Sequence, residues 1–338
     1  MILKYKIMKK IFSVGGLFSG IGGIELGFIQ AGFKILWANE IDKNCAITYR
    51  ANFNHKLYEK GIEELSGKEL EPVDVLCAGF PCQAFSIAGY QKGFKDKRGN
   101  VFFEIVRIIK ELKTKPKVLF LENVKNLRTH DKGNTFKRIC EEINKLGYSI
   151  FTDVLNTADF TTIPQNRERT FLICFRNEKD WDSNPKKNKY SKGFSQMFPP
   201  KKTKQLNHIS KYFEKTIDDY YYYDQRKYNH RELSENIKSK DTLYQWRRVY
   251  VRENKNNMCP TLTANMGTGG HNVPLLKDDL GIRKLTPREC FNFQGFPKSY
   301  KLPKEVANTQ LYKQAGNAVT VKLIEKLAKN IKIVLDNN

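Results

Sequence analysis

Residues 11–26 read Ile11-Phe12-Ser13-Val14-Gly15-Gly16-Leu17-Phe18-Ser19-Gly20-Ile21-Gly22-Gly23-Ile24-Glu25-Leu26. An apolar run predicts a strand over residues 11–17. A glycine-rich turn, Phe18-Ser19-Gly20-Ile21-Gly22-Gly23, then opens a helix over residues 22–31 with apolar positions at Ile24, Leu26, Phe28 and Ile29. Such glycines let a backbone come close to a ligand at a helix N-terminus. The turn is neither the GxGxxG dinucleotide fingerprint nor a phosphate loop, since it lacks GK[ST]. The same alternation continues downstream, with strands at 35–39, 73–78, 118–121, 151–155 and 170–175 and helices at 42–52, 101–112 and 135–146. The runs at 73–78 and 118–121 are continuously apolar, as in a parallel sheet buried on both faces. The fold class expected is therefore α/β, a doubly wound and mostly parallel sheet with its ligands at the carboxyl ends of the strands.

Chemistry-bearing residues fall at those strand ends. Glu40 lies about 20 residues beyond the glycines, where an acid binds the ribose hydroxyls of a nucleoside; Asp42 reads as the cap of the next helix. Gly79-Phe80-Pro81-Cys82-Gln83 follows the third apolar run and leads into a polar, basic loop at 87–100, a way to present a thiolate to an electrophile. Glu122 ends the run Phe120-Leu121-Glu122-Asn123-Val124, on the same sheet edge as Cys82. A carboxyl among apolar neighbours holds its proton more tightly and can carry it to a ring nitrogen. Arg167 and Arg169, in Gln165-Asn166-Arg167-Glu168-Arg169, form a guanidinium pair suited to a carbonyl or phosphate. Each feature has a plain reading too: an inert buried thiol, a solvated strand-end acid, a salt-bridged surface patch.

Composition narrows the partners. The 338 residues carry 59 Lys and Arg against 36 Asp and Glu, a net charge of +23. An excess of that size calls for a polyanion, either nucleic acid or an anionic membrane surface. No run approaches the roughly 20 apolar residues of a membrane span and no secretory h-region opens the chain, so a cytoplasmic protein is expected. Seven cysteines without CxxC spacing argue for reduced thiols and against a metal centre. Near residue 177 the texture changes to Lys, Asn, Tyr and Pro with weak periodicity. The expected organisation is a catalytic, cofactor-binding domain at 1–180, a smaller irregular domain at 181–300, and a segment at 301–338 whose terminal helix, about 319–335, returns to the first domain.

Seven blocks occur in order: Phe18 to Gly23, Asn39-Glu40, Gly79 to Gln83, Glu122-Asn123-Val124, Gln165 to Arg169, Leu285-Thr286-Pro287-Arg288-Glu289-Cys290 with Gln294-Gly295-Phe296-Pro297, and Gln314-Ala315-Gly316-Asn317-Ala318-Val319. This constellation resembles the DNA (cytosine-5)-methyltransferase family of bacterial modification enzymes, over the whole chain except about 177–258. The resemblance implies a methyltransferase using S-adenosylmethionine and no metal, acting on a flipped-out cytosine in double-stranded DNA. It assigns Cys82 as the nucleophile toward cytosine C6, Glu122 to N3 and the exocyclic amine, and Arg167 and Arg169 to cytosine O2 and the catalytic loop. Cofactor positions carried over are Phe18, Gly20, Ile21, Gly23, Glu40, Ile41, Pro81 and Asn317. Ser86 and Arg98 become DNA-backbone contacts. Thr261, Leu262, Gly269 and Gly270 become the target-recognition signature. The basic cluster Gln245-Trp246-Arg247-Arg248 with Arg252 offers candidate base or phosphate readers, with phosphate contact favoured for most of them.

Two departures stand out. Family members often carry an acid where this chain has Gly16. A second acid, near the cofactor adenine, is replaced within Lys60-Gly61-Ile62, where Glu59 or Glu63 is the available substitute. The long block between the Arg pair and Leu285 favours DNA over the tRNA-methylating branch, and intact Cys82, Glu122 and Arg pair oppose a catalytically silent DNA-binding relative. A monomer acting on DNA, with any cognate restriction endonuclease acting separately, completes the expectation.

Overall fold

The computed structural model describes residues 10–81, 101–176, 197–201, 205–224, 230–247, 250–268 and 272–337. Seven strands form the main sheet: β1 (Ser13–Leu17), β2 (Lys34–Asn39), β3 (Lys56–Tyr58), β4 (Val75–Gly79), β5 (Val118–Val124), β6 (Tyr148–Asn156) and β7 (Glu168–Arg176). Their spatial order is β3-β2-β1-β4-β5-β7-β6, and β7 alone runs antiparallel, against both β5 and β6. Strand order reverses between β1 and β4, so the crevice beyond their carboxyl ends is the ligand position of a doubly wound sheet.

The continuous apolar runs are explained by burial on both faces. Val75, Cys77, Val118 and Phe120 pack on one face, against α1 (Gly23–Gln30). Leu76, Ala78, Leu119 and Leu121 pack on the other. Alternate residues of one strand thus feed two cores, as a period of two requires. After α2 (Lys43–Arg50), helices α3 (Val101–Glu111) and α4 (Asn134–Lys145) cover the second face through Phe102, Ile105, Ile109, Ile139 and Ile143. The C-terminal helix returns to the first face, where its Leu323, Ile324, Leu327 and Ile331 join Phe28.

Beyond the one-turn α5 (Thr157–Phe160) and α6 (His230–Asn236), a second sheet of β8 (Leu243–Arg247), β9 (Tyr250–Asn254), β10 (Leu275–Lys277) and β11 (Ile282–Lys284) has the order β11-β10-β8-β9 and is antiparallel throughout. It has a small core of its own in Leu233, Ile237, Tyr244, Leu275 and Ile282. Residues 285–300 instead share a core with the first sheet's side: Phe291, Phe296 and Tyr300 cluster with Ile21, Tyr49 and Phe53. Among the described residues no helix is long and apolar enough to cross a membrane.

The Thr286-Pro287-Arg288-Glu289 block is architectural. Thr286 and Glu289 form a reciprocal capping box at α7 (Pro287–Phe293). Arg283, 2% exposed, donates to both carboxylate oxygens of the fully buried Glu289 at 2.8 and 2.9 Å and to Asp278 at 2.8 Å. Glu289 also accepts the Glu214 and Thr286 amides. Breaking a buried, hydrogen-bonded pair strands the remaining charge, at a cost of about 3–5 kcal/mol. Glu289→Ala is therefore expected to lower stability by that amount in denaturant titration, and a loss below about 1 kcal/mol would assign the pair no structural weight.

Candidate active site

The turn after β1 is held open by its own backbone. Phe18 and Gly20 both have φ of 54°, and Gly22 has φ of 76°. A Cβ placed on Gly20 would meet nothing within 4 Å, so the loop leaves free space at that point. Glu40, at the end of β2, ties the turn down: its carboxylate accepts the amides of Gly20 at 2.7 Å, Ile41 at 2.9 Å and Asp42 at 2.7 Å. Burial pushes the Glu40 carboxyl above its ordinary range, and the three amides oppose that shift. A carboxylate has about four lone-pair sites, so one remains for a ligand. Ile41 beside it is 65% exposed.

Other positions of the turn serve packing. Ile21 is buried, with its carbonyl accepting the Tyr300 hydroxyl at 2.5 Å. Gly23 lies close under Val319. Asp42 caps α2 through the Asn44 and Cys45 amides, as the sequence indicated.

The two positions without their expected acids are each filled by another carboxyl. A Cβ on Gly16 would fall 2.1 Å from Glu25 Oε1, and one on Gly61 would fall 2.5 Å from Glu63 Oε1. Glu59 is engaged by Arg50 instead. Glu25 is 1% exposed, and sequence reading missed it. The available signal was an acid between Ile24 and Phe28 on the face that α1 buries.

The second half of the crevice lies across β4 and β5. Gly79 is in register with Glu122. Asn123 donates to the Phe80 carbonyl at 2.8 Å, fixing the backbone two residues before Cys82. Pro81 is exposed at the end of this segment; Cys82, Ser86 and Arg98 lie outside the described residues. Glu122 is 8% exposed, and Arg169 Nε stands 3.2 Å from its Oε1. Burial raises the Glu122 carboxyl above its ordinary range, and the nearby Arg169 and Arg167 guanidinium groups oppose the rise.

The two arginines do different work. Arg169 faces Glu122, whereas Arg167 is 1% exposed and donates to the carbonyls of Leu262 at 2.7 Å, Gly316 at 3.0 Å and Ala318. It joins β7 to the 262 segment and to the end of α8 (Asn308–Asn317), ahead of the terminal helix α9 (Val321–Asp336). With its guanidinium committed to these three carbonyls, Arg167 ties the seam together, and Arg169 is the member of the pair that stands beside Glu122. Asn317 is exposed, between the two carbonyls that Arg167 holds in α8 and its cap.

The expected DNA readers separate likewise. Leu262 is 1% exposed in the core shared with Ile21 and Phe291, so its side chain does not reach a DNA surface. Thr261 spends its hydroxyl on the Asn166 carbonyl. Residues 261–263 form no strand: the Leu262 carbonyl accepts from Arg167, the Thr261 hydroxyl donates to the Asn166 carbonyl, and a 3₁₀ turn follows at Ala264–Gly267. Arg247 is exposed at the end of β8; Arg248, Gly269 and Gly270 lie outside the described residues. Among the described residues no cluster of His, Cys, Asp or Glu has metal-binding geometry.

The family profile described as C-5 cytosine-specific DNA methylase matches residues 12–333. The chain is 51% identical over 323 residues to the Type II methyltransferase M.Bsp6I of Bacillus sp. (strain RFL6), covering 95% of this chain and 98% of that one. It is 37% identical over 327 residues to the Type II methyltransferase M.HhaI of Haemophilus parahaemolyticus, covering 93% and 92%. Among solved structures, the S. pombe Dnmt2 methyltransferase superposes with a TM-score of 0.73 at 20% identity, covering 96% of this chain and 99% of that one, a likeness of fold.

Proposed function

The chain belongs to the C-5 cytosine-specific DNA methylase family, and from that premise we propose that it moves a methyl group from S-adenosylmethionine to C5 of a cytosine flipped out of duplex DNA. The observation that carries this reading is the Glu122–Arg169 pair, 3.2 Å apart at the end of β5, beside a backbone that Asn123 fixes immediately ahead of Cys82. Cytosine C5 is a weak nucleophile. Addition of the Cys82 thiolate to C6 makes C4–C5 enamine-like and loads electron density on C5. Glu122, whose burial favours the protonated form, donates to N3 as charge builds there, and Arg169 supports the same edge. C5 would take the methyl as its bond to the donor sulfur breaks, leaving the donor as a neutral thioether; loss of the C5 proton to solvent with expulsion of the thiolate from C6 then restores the aromatic ring and frees Cys82.

The donor supplies an electrophilic methyl group on a sulfonium. The crevice fits its nucleoside: Gly20 leaves open space, Glu40 is oriented for the ribose hydroxyls, Ile41 offers an exposed apolar surface, and Asn317 lies exposed at the end of α8. Glu63, over Gly61, is the acid we assign to the adenine amine, because Glu59 is taken by Arg50. Duplex DNA is the partner that offsets the +23 charge. The enzyme would act as a monomer in the cytoplasm and as the modification half of a restriction–modification system, with any endonuclease acting separately. Arg247 and Arg248 would contact phosphates, and Ser86, Arg98, Gly269 and Gly270 would line the DNA.

The test is transfer of labelled methyl from S-adenosylmethionine to mixed-sequence duplex DNA, followed by cytosine-resolved sequencing. Label in one cytosine context is expected; label on tRNA alone would reassign the substrate. In single-turnover experiments Glu122→Gln is expected to slow transfer by about 10²- to 10³-fold with DNA affinity within a few-fold of wild type. An unchanged rate would remove Glu122 from the chemistry.

A further inference from the structure

Glu25 is an acid that the proposed chemistry leaves unused. It lies in the first turn of α1, 1% exposed, and its Oε2 has no hydrogen-bond partner among the described residues; neither has the buried Ser19 Oγ beside it. Both crowd the Cα of Gly16 at the end of β1, where an added Cβ would fall 2.1 Å from Glu25 Oε1 and 2.7 Å from Ser19 Oγ. The carboxyl thus occupies the volume that a side chain at position 16 would fill. A buried carboxyl with an unused oxygen is costly to retain, and a cation that arrives with a ligand would supply the donor that Glu25 Oε2 lacks.

We propose that Glu25, assisted by Ser19 Oγ, is the anionic partner of the α-ammonium group on the amino-acid arm of the methyl donor. This rests on the donor reading above and adds to it the arm's location. The sheet order supplies the address. From β3 through β2 and β1 to β5, the acids at the crevice edge run Glu63, Glu40, Glu25 and Glu122. The donor has a matching linear order of adenine, ribose, and sulfonium with its amino-acid arm, with the cytosine beyond. Glu25 stands at the third station, where the only cationic nitrogen of the donor falls. An ammonium group also matches two acceptors set side by side, as it carries three donors in a tetrahedral array.

Charge coupling follows from the burial. Desolvation raises the Glu25 carboxyl to about 7, with Glu40 pushing the same way and Ser19 and the local amide opposing. The other titratable groups coupled to it are Tyr49 on α2, Cys77 on β4 and Tyr300, all neutral near pH 7 because burial raises each of them. A cation binding at Glu25 favours its ionised form, so below about pH 7 binding expels a proton to solvent. Affinity for an ammonium-bearing ligand therefore rises with pH through about 7 and then levels.

The experiment is calorimetric titration of the full chain with S-adenosylhomocysteine, which keeps the ammonium and lacks the sulfonium, and with its deaminated analogue. Wild-type protein is expected to bind the analogue about 10- to 100-fold more weakly, and to release a proton on binding S-adenosylhomocysteine at pH 6. Glu25→Gln is expected to erase both the amine preference and the pH dependence. The wild-type comparison stands even where that variant folds poorly. Equal binding of the two probes by wild type, or an amine preference that survives in Glu25→Gln, would overturn the assignment while leaving the donor reading intact. Failure of wild type to bind S-adenosylhomocysteine at all would overturn the donor reading itself, and this assignment with it.

Discussion

Cys82→Ala is expected to leave duplex DNA bound but to lower methyl transfer by about 10⁴-fold or more. The size of the effect follows from the substrate. Without addition at C6, C5 has no enamine character, and among the described residues no other nucleophile is placed to replace the thiolate. Glu122 and Arg169 stabilise charge that forms only after addition, so their contribution disappears with the thiol and the effects of the three residues do not add. Binding is spared because it draws on the basic surface and the phosphates. Two measurements settle it together: single-turnover transfer of labelled methyl, and DNA affinity at fixed salt. Transfer within tenfold of wild type would remove the covalent mechanism. Lost DNA binding alongside lost transfer would show that the substitution disturbs more than the nucleophile.

Arg167→Met is expected to cost about 4 kcal/mol or more of stability, since three interior carbonyls lose their donor at about 1–3 kcal/mol each while methionine restores most of the volume. Those carbonyls belong to Leu262, Gly316 and Ala318. The change thus loosens the seam between β7, the 262 segment and the end of α8, and with it the placement of Asn317. Arg167→Lys is expected to recover only part of the loss, because one ammonium cannot span three acceptors as a planar guanidinium does. Thermal or denaturant midpoints read the effect. A variant with wild-type stability and lost catalysis would return Arg167 to the base-binding role that its sequence position suggests.

Comparison of Arg167 with Arg169 shows where sequence reading stopped. Both lie in Gln165-Asn166-Arg167-Glu168-Arg169 and look equivalent there, two residues apart on one face of an extended segment. The structure separates them because the 262 and 316 segments, 95 and 149 residues further along the chain, bring carbonyls to Arg167 alone. The same blindness covers Leu262, which looks like part of a recognition signature and is buried in a core. It also covers β8 and β9, whose exposed Arg247, Tyr250, Arg252 and Glu253 obscure the period of two. The edge strand β3, three residues long, is too short to leave a pattern.

The sequence by itself determined the strand–glycine–helix opening, the alternation that builds the main sheet, the Asp42 cap, and the family to which the ordered blocks point. These are local matters: runs of apolar residues bury, glycines turn, and strand ends carry acids. Only the tertiary structure decided that β7 inserts antiparallel between β5 and β6, that Arg167 is a buried tie and Arg169 the partner of Glu122, and that Glu25 and Glu63 fill the spaces over Gly16 and Gly61. Each of those outcomes depends on which distant segment arrives at a given atom. Burial and hydrogen bonding act on the assembled neighbourhood, and a residue's place in the chain does not encode that neighbourhood one position at a time.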